Sequence, residues 1–279
     1  MDPSLLDVIV LNWRTPDMSA EGLRLAAESL PGAALYLVDN GSGDGSPERL
    51  RQLAPPGTTV IETGRNLGFG GGFNAGIRAG KRPFLITLNS DARPTGSVYR
   101  ELLDHCASDD RLGAVTPQTI GHDNLPVGQM APEPPAWRLV VGCLPGAWRL
   151  AQAKPYWPKA GPPEMIDWFP SMCATLFRRA AIEGIGGFDS DYFLGWEEWD
   201  LARRLRAAGW KIAIHPGAAV VHEGQGSTPK PLTPWRSKHA RDGICHHLRK
   251  YYGPGWYAAG RLTSGIADLY MGLRARSMG

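Results

Sequence analysis

The chain has 279 residues, of which 43% are hydrophobic and 20% charged; this is ordinary for one large globular α/β domain or two modest ones and excludes a disordered chain or a coiled coil. Thirty basic against 27 acidic side chains leave a formal charge of only +3, which gives no sign of a nucleic-acid partner. No apolar run approaches the roughly 18 residues of a membrane-spanning helix, while 35 Gly and 24 Pro forecast many turns and long loops.

In chain order, Leu6 to Leu11 is a nearly continuous apolar run, as expected of a buried parallel strand. Ser19 to Leu30 reads as a helix with Ser19 as its N-cap and Leu23, Ala26, Ala27 and Leu30 on one face. Leu35 to Asp39 is a second strand, ended by a Gly- and Ser-rich turn. Thr58 to Thr63 is a third. Gly70 to Gly80 is a Gly-rich entry to a helix. Phe84 to Leu88 is a fourth strand, a helix from Ser97 to Cys106 follows, and a strand is expected near Gly113 to Thr116. Strands alternating with helices imply a doubly wound parallel sheet, with the strand C-terminal ends and their polar loops along one edge.

From Ile120 to Pro163 the chain is rich in Pro, Gly and Trp and has little periodicity, as in a functional loop or lid. Order returns at Ile166 to Phe177. A helix from Trp196 to Ala208 is closed by Gly209, two short strands are expected at Trp210 to Ile214 and Ala218 to His222, and the tail from Pro234 is partly helical. Gly265 to Arg276 carries Ile266, Leu269, Tyr270 and Leu273 on one face with Arg274 and Arg276 beside it. That pattern fits a peripheral membrane contact, a helix packed on the domain, or a homodimer contact. Met1 to Ser4 lack a basic region, so no signal peptide is expected. Cys106, Cys143, Cys173 and Cys245 are well separated and form neither a C-x-x-C site nor a disulfide framework, which fits a reducing, cytoplasmic setting.

Polar clusters mark the strand ends. Asp39 offers a carboxylate to a base N–H or a ribose hydroxyl; an Asx-turn is the competing use. Asn89-Ser90-Asp91 follows the fourth strand, where an acid is well placed to bind Mg²⁺ or Mn²⁺; an ordinary turn is again the alternative. Glu197, Glu198 and Asp200 open a helix beside Trp196 and Trp199. Burial against the indoles would raise a carboxylate toward the range of a general base, whereas acids in a first helical turn are also stabilised by the helix dipole alone. His222 ends a short strand, and its imidazole suits Mn²⁺. Arg65, Asn66 and Gly70 to Gly72 are candidates for a phosphate cradle at a helix N-terminus. The chain has no G-x-x-x-x-G-K-[ST] loop, no G-x-G-x-x-G after the first strand and no G-x-S-x-G elbow.

Six segments in order resemble the family 2 glycosyltransferases of the GT-A fold, in particular their bacterial rhamnosyltransferase-like branch. They are VIVLNW (Val8 to Trp13), LVDNGSGDGS (Leu37 to Ser46), GRNLGFGGGFNAGI (Gly64 to Ile77), LNSDARP (Leu88 to Pro94), GGFDSDYFLGWEEWDLARRLRAAGW (Gly186 to Trp210) and PGAAVVHEGQGS (Pro216 to Ser227). The resemblance implies an α/β fold with a Rossmann-like nucleotide-binding sheet, helices on both faces and a smaller acceptor-side region. It implies an enzyme that moves a sugar, with inversion, from a nucleotide-diphosphate donor to an acceptor hydroxyl. A dTDP-deoxyhexose comes first as donor and a UDP-sugar next. The acceptor is a glycan, a lipid-linked glycan or a small natural product.

Carried over by position, Asp39 binds the base or ribose, and Asn12, Arg65, Asn66, Asn74 and Asn89 help line the donor site. Asp91 matches the last acid of the family's D-x-D-like element, whose first acid is here Asn89, and ligates Mg²⁺ or Mn²⁺. His222 completes the metal shell. Glu198 stands where the family's Glu-Asp pair has Asp, the usual base, and Glu197 is the alternate base. Trp168, Trp196 and Trp199 offer flat surfaces to the acceptor. Residues 1–119 are then the nucleotide-sugar-binding half, 120–165 the loop or lid, 166–227 the acceptor and catalytic half, and 228–279 a partly helical tail. Two other readings compete. A sugar nucleotidyltransferase needs a glycine run that Asn12 to Pro16 lack. A non-catalytic sugar-binding protein on the same scaffold is disfavoured by the intact Asp91, Glu198 and His222.

Overall fold

Alternate residues of the first strand, β1 (Leu6–Asn12), serve two cores. Val8 and Val10 point into one and Ile9 into the other, so the strand is apolar from Val8 to Leu11 and lies inside the sheet, between β2 and β4. The structure, a computed structural model, describes residues 1–127, 130–147, 156, 158, 161–222 and 234–277, and the backbone alone at 234–237 and 274–277. The other strands are β2 (Ala34–Asp39), β3 (Thr59–Glu62), β4 (Phe84–Asn89), β5 (Ala92–Pro94), β6 (Leu112–Ile120), β7 (Glu164–Ile166), β8 (Ala174–Arg178) and β9 (Lys211–His222). The described helices are α1 (Pro16–Ser29), α2 (Ser46–Leu53), α3 (Gly68–Ala79), α4 (Val98–Ser108), α5 (Ala136–Gly142), α6 (Arg179–Gly184), α7 (Glu197–Ala207), α8 (Pro234–Tyr251) and α9 (Pro254–Ser277).

All nine described strands form one sheet, in the order β3-β2-β1-β4-β8-β6-β9-β5, with β7 alongside β9. The parallel arrangement expected from the sequence holds for β3, β2, β1 and β4. Beyond β4 the sheet is mixed: β8 is antiparallel to both β4 and β6, and β5 and β7 are antiparallel to β9. The long stretch between β6 and β8 frees the chain from a short right-handed crossover, so β8 enters from the edge where β4 leaves.

Helices cover both faces. On one, Leu23 and Ala26 of α1 and Tyr99, Leu102 and Leu103 of α4 pack on Val8, Val10, Ile86 and Leu88. On the other, Phe73 and Ile77 of α3 and Leu201 and Leu205 of α7 pack on Ile9, Val38, Leu85 and Phe177. Each such side chain contributes about 1.5–3 kcal/mol by leaving water. A third cluster joins Leu139 of α5 and Cys143, its C-cap, to Tyr192, Trp196, and Ile244 and Leu248 of α8. It brings the thiols of Cys143 and Cys245, distant in sequence, into contact as free cysteines.

Three local expectations are corrected. Ser19 lies inside α1, which begins at Pro16, and its hydroxyl donates to Asn12 Oδ1 at 2.9 Å instead of capping. The two strands expected around Pro216 are one, β9. Pro117 pairs with His215 and Gln118 with Ala219, so the residues between bulge out and the strand resumes. Gly70 to Gly72 are buried within the first turns of α3, where Phe188 and Asn40 crowd the backbone, and form no open cradle.

Glu133 ties the Pro- and Trp-rich stretch to the helices. It accepts from Arg203 Nε and Nη2 at 2.6 and 2.9 Å and from Tyr252 at 2.7 Å, with His247 Nε2 at 2.9 Å. Burial alone would push its carboxyl up, but the hydrogen bonds of His247, Arg203 and Tyr252 outweigh burial and hold it at about 2. Its folded value lies below the ordinary 4.5. The stability from this network is therefore fully present above about pH 4.5 and is lost as pH falls toward 2. Glu133→Gln is expected to lower stability by about 3 kcal/mol at neutral pH. In urea unfolding the gap to the wild type should narrow on acidification; a gap independent of pH contradicts this role.

Candidate active site

Register sets the polar edge. Asn12 of β1 stands opposite Asp39 of β2, and Leu11 opposite Asn89 of β4, so the three strands end side by side in polar residues. Asp39 is 2% exposed. Its Oδ1 accepts from Asn12 Nδ2 at 2.8 Å and Ser42 Oγ at 2.5 Å, and its Oδ2 accepts from the Ser42 N–H at 3.1 Å. Asn12 Oδ1 in turn accepts from Ser19 and the Thr15 N–H. The carboxylate is thus held rigidly, while a carboxylate oxygen has room for two donors. The Asx-turn read from the sequence is present five residues on, where Asp44 Oδ1 accepts from the Ser46 N–H and hydroxyl. Sequence reasoning missed Ser42 and Arg14. Arg14 has φ +61°, rare for a non-glycine residue, and its Nε donates to Ser42 O at 3.1 Å.

The Gly64 to Ile77 segment is built by side-chain amides. Gly41 (φ +66°) lets the β2 turn approach the next loop so closely that a Cβ would stand 2.5 Å from the Asn66 N. Asn40 donates to Gly68 O at 2.9 Å and Asn66 Oδ1 at 3.1 Å, and Asn66 Oδ1 also accepts from the Gly68 N–H. Asn74 donates to Phe188 O at 2.8 Å and accepts from the Phe188 N–H at 2.9 Å. The amide of Asn74 and the Oδ1 of Asn66 are therefore engaged within the protein, whereas Arg65 is exposed. The Phe69 N–H at the start of α3 is taken by Phe193 O at 2.9 Å, so the loop before α7 covers that helix end.

Asp91 and His222 meet across the sheet. β5 pairs with the end of β9, placing Ala92 opposite His222, and Asp91 Oδ1 lies 3.2 Å from His222 Nε2. Their side chains are 9% and 25% exposed, so the pair brings one carboxylate oxygen and one imidazole nitrogen together at the margin of the sheet. One three-residue His/Asp cluster occurs among the described residues: Asp189, Asp191 and His246. There Lys250 Nζ already sits 2.5 Å from Asp189 Oδ2. Burial raises the Asp189 carboxyl, but bonds from Lys250, the Asp191 N–H and His246 outweigh it and hold it at about 2. One of the three ligands is thus already paired with an ammonium.

Glu197 and Glu198 follow Gly195 (φ +84°) and Trp196 (φ +82°). A bulky side chain with such a backbone stores about 1–3 kcal/mol of strain. Packing holds it: Trp196 is 5% exposed, its ring centroid lies 4.6 Å from that of Trp199 with the planes tilted by 33°, and it lies against Gly243, where a Cβ would stand 2.9 Å from its ring. The acceptor-facing surface read for Trp196 is thus enclosed in the third core. The turn delivers both glutamates to the first turn of α7. Glu197 is 3% exposed and Glu198 partly exposed. The Oε2 atoms of both are buried without a hydrogen-bond partner among the described residues. Burial raises both carboxyls, and Glu197 is raised well above the usual range because the Glu198 charge adds to burial.

Trp168 and Trp199 donate their indole N–H groups to Met130 O at 3.1 Å and Ala131 O at 3.2 Å. Both line one cavity of about 660 Å³, with Arg203, Arg206 and Tyr251. That cavity lies along the face of α7 defined by Trp199, Arg203 and Arg206 at helical spacing, a face rotated from that of Glu198. The structure thus gathers Asn12, Asp39 and Asn89, joins Asp91 to His222, and pairs Trp168 with Trp199. The α7 start lies at the same sheet edge, because Phe193 is bonded to the N-terminus of α3. Glu223 to Ser227 lie outside the described residues.

The sequence pattern described as Glycosyl transferase family 2 matches residues 21–140. The chain is 31% identical over 218 residues to the N-acetylglucosaminyl-diphospho-decaprenol L-rhamnosyltransferase of Mycobacterium tuberculosis (strain CDC 1551 / Oshkosh), covering 70% of this chain and 68% of that protein. It is 26% identical over 230 residues to the Galactofuranosyltransferase GlfT1 of the same strain, 80% of this chain and 72% of that one. In fold it is similar to the mannosyltransferase PcManGT from Pyrobaculum calidifontis, solved in complex with GDP-Man and Mn²⁺, at a TM-score of 0.58 and 17% identity over 99% of this chain and 77% of that one. Sheet, helices and relatives together define a glycosyltransferase of the GT-A fold. The chain belongs to glycosyltransferase family 2.

Proposed function

We propose that this enzyme transfers a deoxyhexosyl or hexosyl group, with inversion, from a nucleotide-diphosphate sugar to an acceptor hydroxyl, using Mg²⁺ or Mn²⁺. The observation that carries the reading is the contact of Asp91 with His222 on the sheet edge where Glu197 and Glu198 present carboxylates raised by burial. The oxygen and nitrogen donors of Asp91 and His222 fit such a cation and leave most of its shell to phosphate oxygens and water. Bound there, the cation would offset charge developing on the leaving diphosphate.

The rest is work for the chain's own residues. Asp39, fixed by Asn12 and Ser42, accepts from the base or ribose. Asn89 and Arg65 border the diphosphate, while Asn66 and Asn74 shape the site through the backbone they hold. Glu198 takes the acceptor proton as the hydroxyl oxygen attacks the anomeric carbon opposite the leaving group. Burial makes it the stronger base, and its partial exposure makes it reachable; enclosed Glu197 is the less accessible alternate. Trp168 and Trp199 flank the acceptor. In this division residues 1–119 serve the donor and 166–227 the acceptor and the chemistry.

The donor proposed first is a dTDP-deoxyhexose and next a UDP-sugar; the L-rhamnosyltransferase name of the 31% identical relative supports a deoxyhexosyl group, and its N-acetylglucosaminyl-diphospho-decaprenol supports a polyprenyl-diphosphate-linked glycan as acceptor. A panel of nucleotide sugars with and without Mn²⁺ tests this by thermal unfolding. One donor is expected to raise the midpoint only with the metal; stabilisation by none, or equally without metal, contradicts the proposal.

A further inference from the structure

The last helix presents two different faces. Gly260, Ser264 and Ala267 are buried and seat α9 on α8, where Arg241 Nε donates to Ser264 Oγ at 3.3 Å. Turned outward, Leu262, Ile266, Leu269, Tyr270 and Leu273 are between 46% and 68% exposed. At the helical repeat these five fall in a sector about 100° wide, with Arg261 and Asp268 both beyond one of its edges. Charge is concentrated on the same segment. Residues 234–279 hold eight Lys and Arg against Asp242 and Asp268, or +6, which leaves −3 on residues 1–233 beneath the chain's +3. No helix among the described residues is long and apolar enough to cross a membrane.

We propose that the outer face of α9 docks on an anionic lipid bilayer, its apolar stripe entering the boundary between headgroups and acyl chains while the basic residues of the α8–α9 pair bind the headgroups. The charge selects this occupant. A second copy would bring two net-basic segments together even with Lys250 paired to Asp189 and Asp200, whereas an anionic surface attracts each one. Apolar area and basic charge on one helix act jointly, as in helices that lie in a membrane interface. The surface is inferred without reference to the reaction.

Sedimentation of the full chain with vesicles of phosphatidylcholine alone, or containing about 30% phosphatidylglycerol, tests it. Partition onto the anionic vesicles should be at least about tenfold stronger and should fall steeply as salt is raised to about 0.5 M. Leu262→Ser with Leu269→Ser should weaken it by at least about tenfold. Both positions are exposed, so the unfolding midpoint should stay unchanged. Equal binding to both vesicles, or unaltered binding by the double variant, overturns the proposal. So does a dimer in sedimentation equilibrium that the same substitutions dissociate, with no vesicle binding. Nucleotide-sugar stabilisation by the donor panel is read without lipid, so failure here leaves the transfer reaction standing.

Discussion

Replacing Glu198 with glutamine should lower kcat by about 10²–10⁴-fold, the usual worth of a positioned base, while metal-dependent donor binding persists. One carboxylate oxygen, Oε2, is buried and unpartnered while the side chain stays partly exposed, and burial raises the carboxyl above the ordinary 4.5. A base works when ionised, so wild-type kcat should fall as pH drops through that raised value, an acid limb lying above 4.5. The same shift acts on stability with opposite sign. Folding favours the protonated acid, so ionisation removes stability as pH rises from 4.5 through the raised value. Glu198→Gln has no such loss and should gain on the wild type as pH rises, with no gain below 4.5. The larger fall in kcat should come at Glu198 rather than at Glu197. Wild-type turnover in Glu198→Gln removes the assignment of the base.

The second large effect is expected at the other end of the site. Asp91→Ala and His222→Ala should each lower kcat/KM by at least about 10²-fold, a few kcal/mol of lost charge stabilisation. Each should also abolish the metal-dependent rise in unfolding midpoint caused by the donor. The fold should survive, since β5 and β9 are joined by backbone pairing from Ala92 to Pro94 and the two side chains lie at the margin of the core. Stability without ligand should shift by no more than about 1 kcal/mol. Substitution of Asp189 tests the alternative: with Lys250 on its carboxylate, its loss should leave the metal response intact.

Much of this was legible in the chain. β1, β2 and β4 are short apolar runs ending in Asn12, Asp39 and Asn89, and a run buried on both faces has few other places to lie. β9 was less legible because Pro216-Gly217 reads as a break; only the pairing with β6 shows that the residues bulge while the strand continues. Periodicity could not place β8, whose position between β4 and β6 depends on a long connection. In the site, Asp91 and His222 could be associated only through the ordered resemblance of their segments, since contact between residues so distant is a property of topology. Asn66 and Asn74 were read as lining the donor site; the Asn74 amide and the Asn66 Oδ1 bind backbone instead of pointing at a ligand. Nothing in a pattern of residue types distinguishes these uses, because an amide donates equally well to a phosphate or a carbonyl. Trp196 was misread for a related reason: its ring is large enough to serve as a platform or as the core, and the left-handed turn at Gly195 and Trp196 decides for the core.

The most direct test of the account is a crystal structure of the enzyme with its nucleotide diphosphate and Mn²⁺, with the metal located by anomalous scattering. The account predicts a peak about 2.1 Å from a carboxylate oxygen of Asp91, also coordinated by His222 Nε2 and the diphosphate, with the Glu198 carboxylate facing the sugar-bearing end. A peak at Asp189, Asp191 and His246, or a nucleotide bound with Asp91 and His222 unengaged, contradicts it.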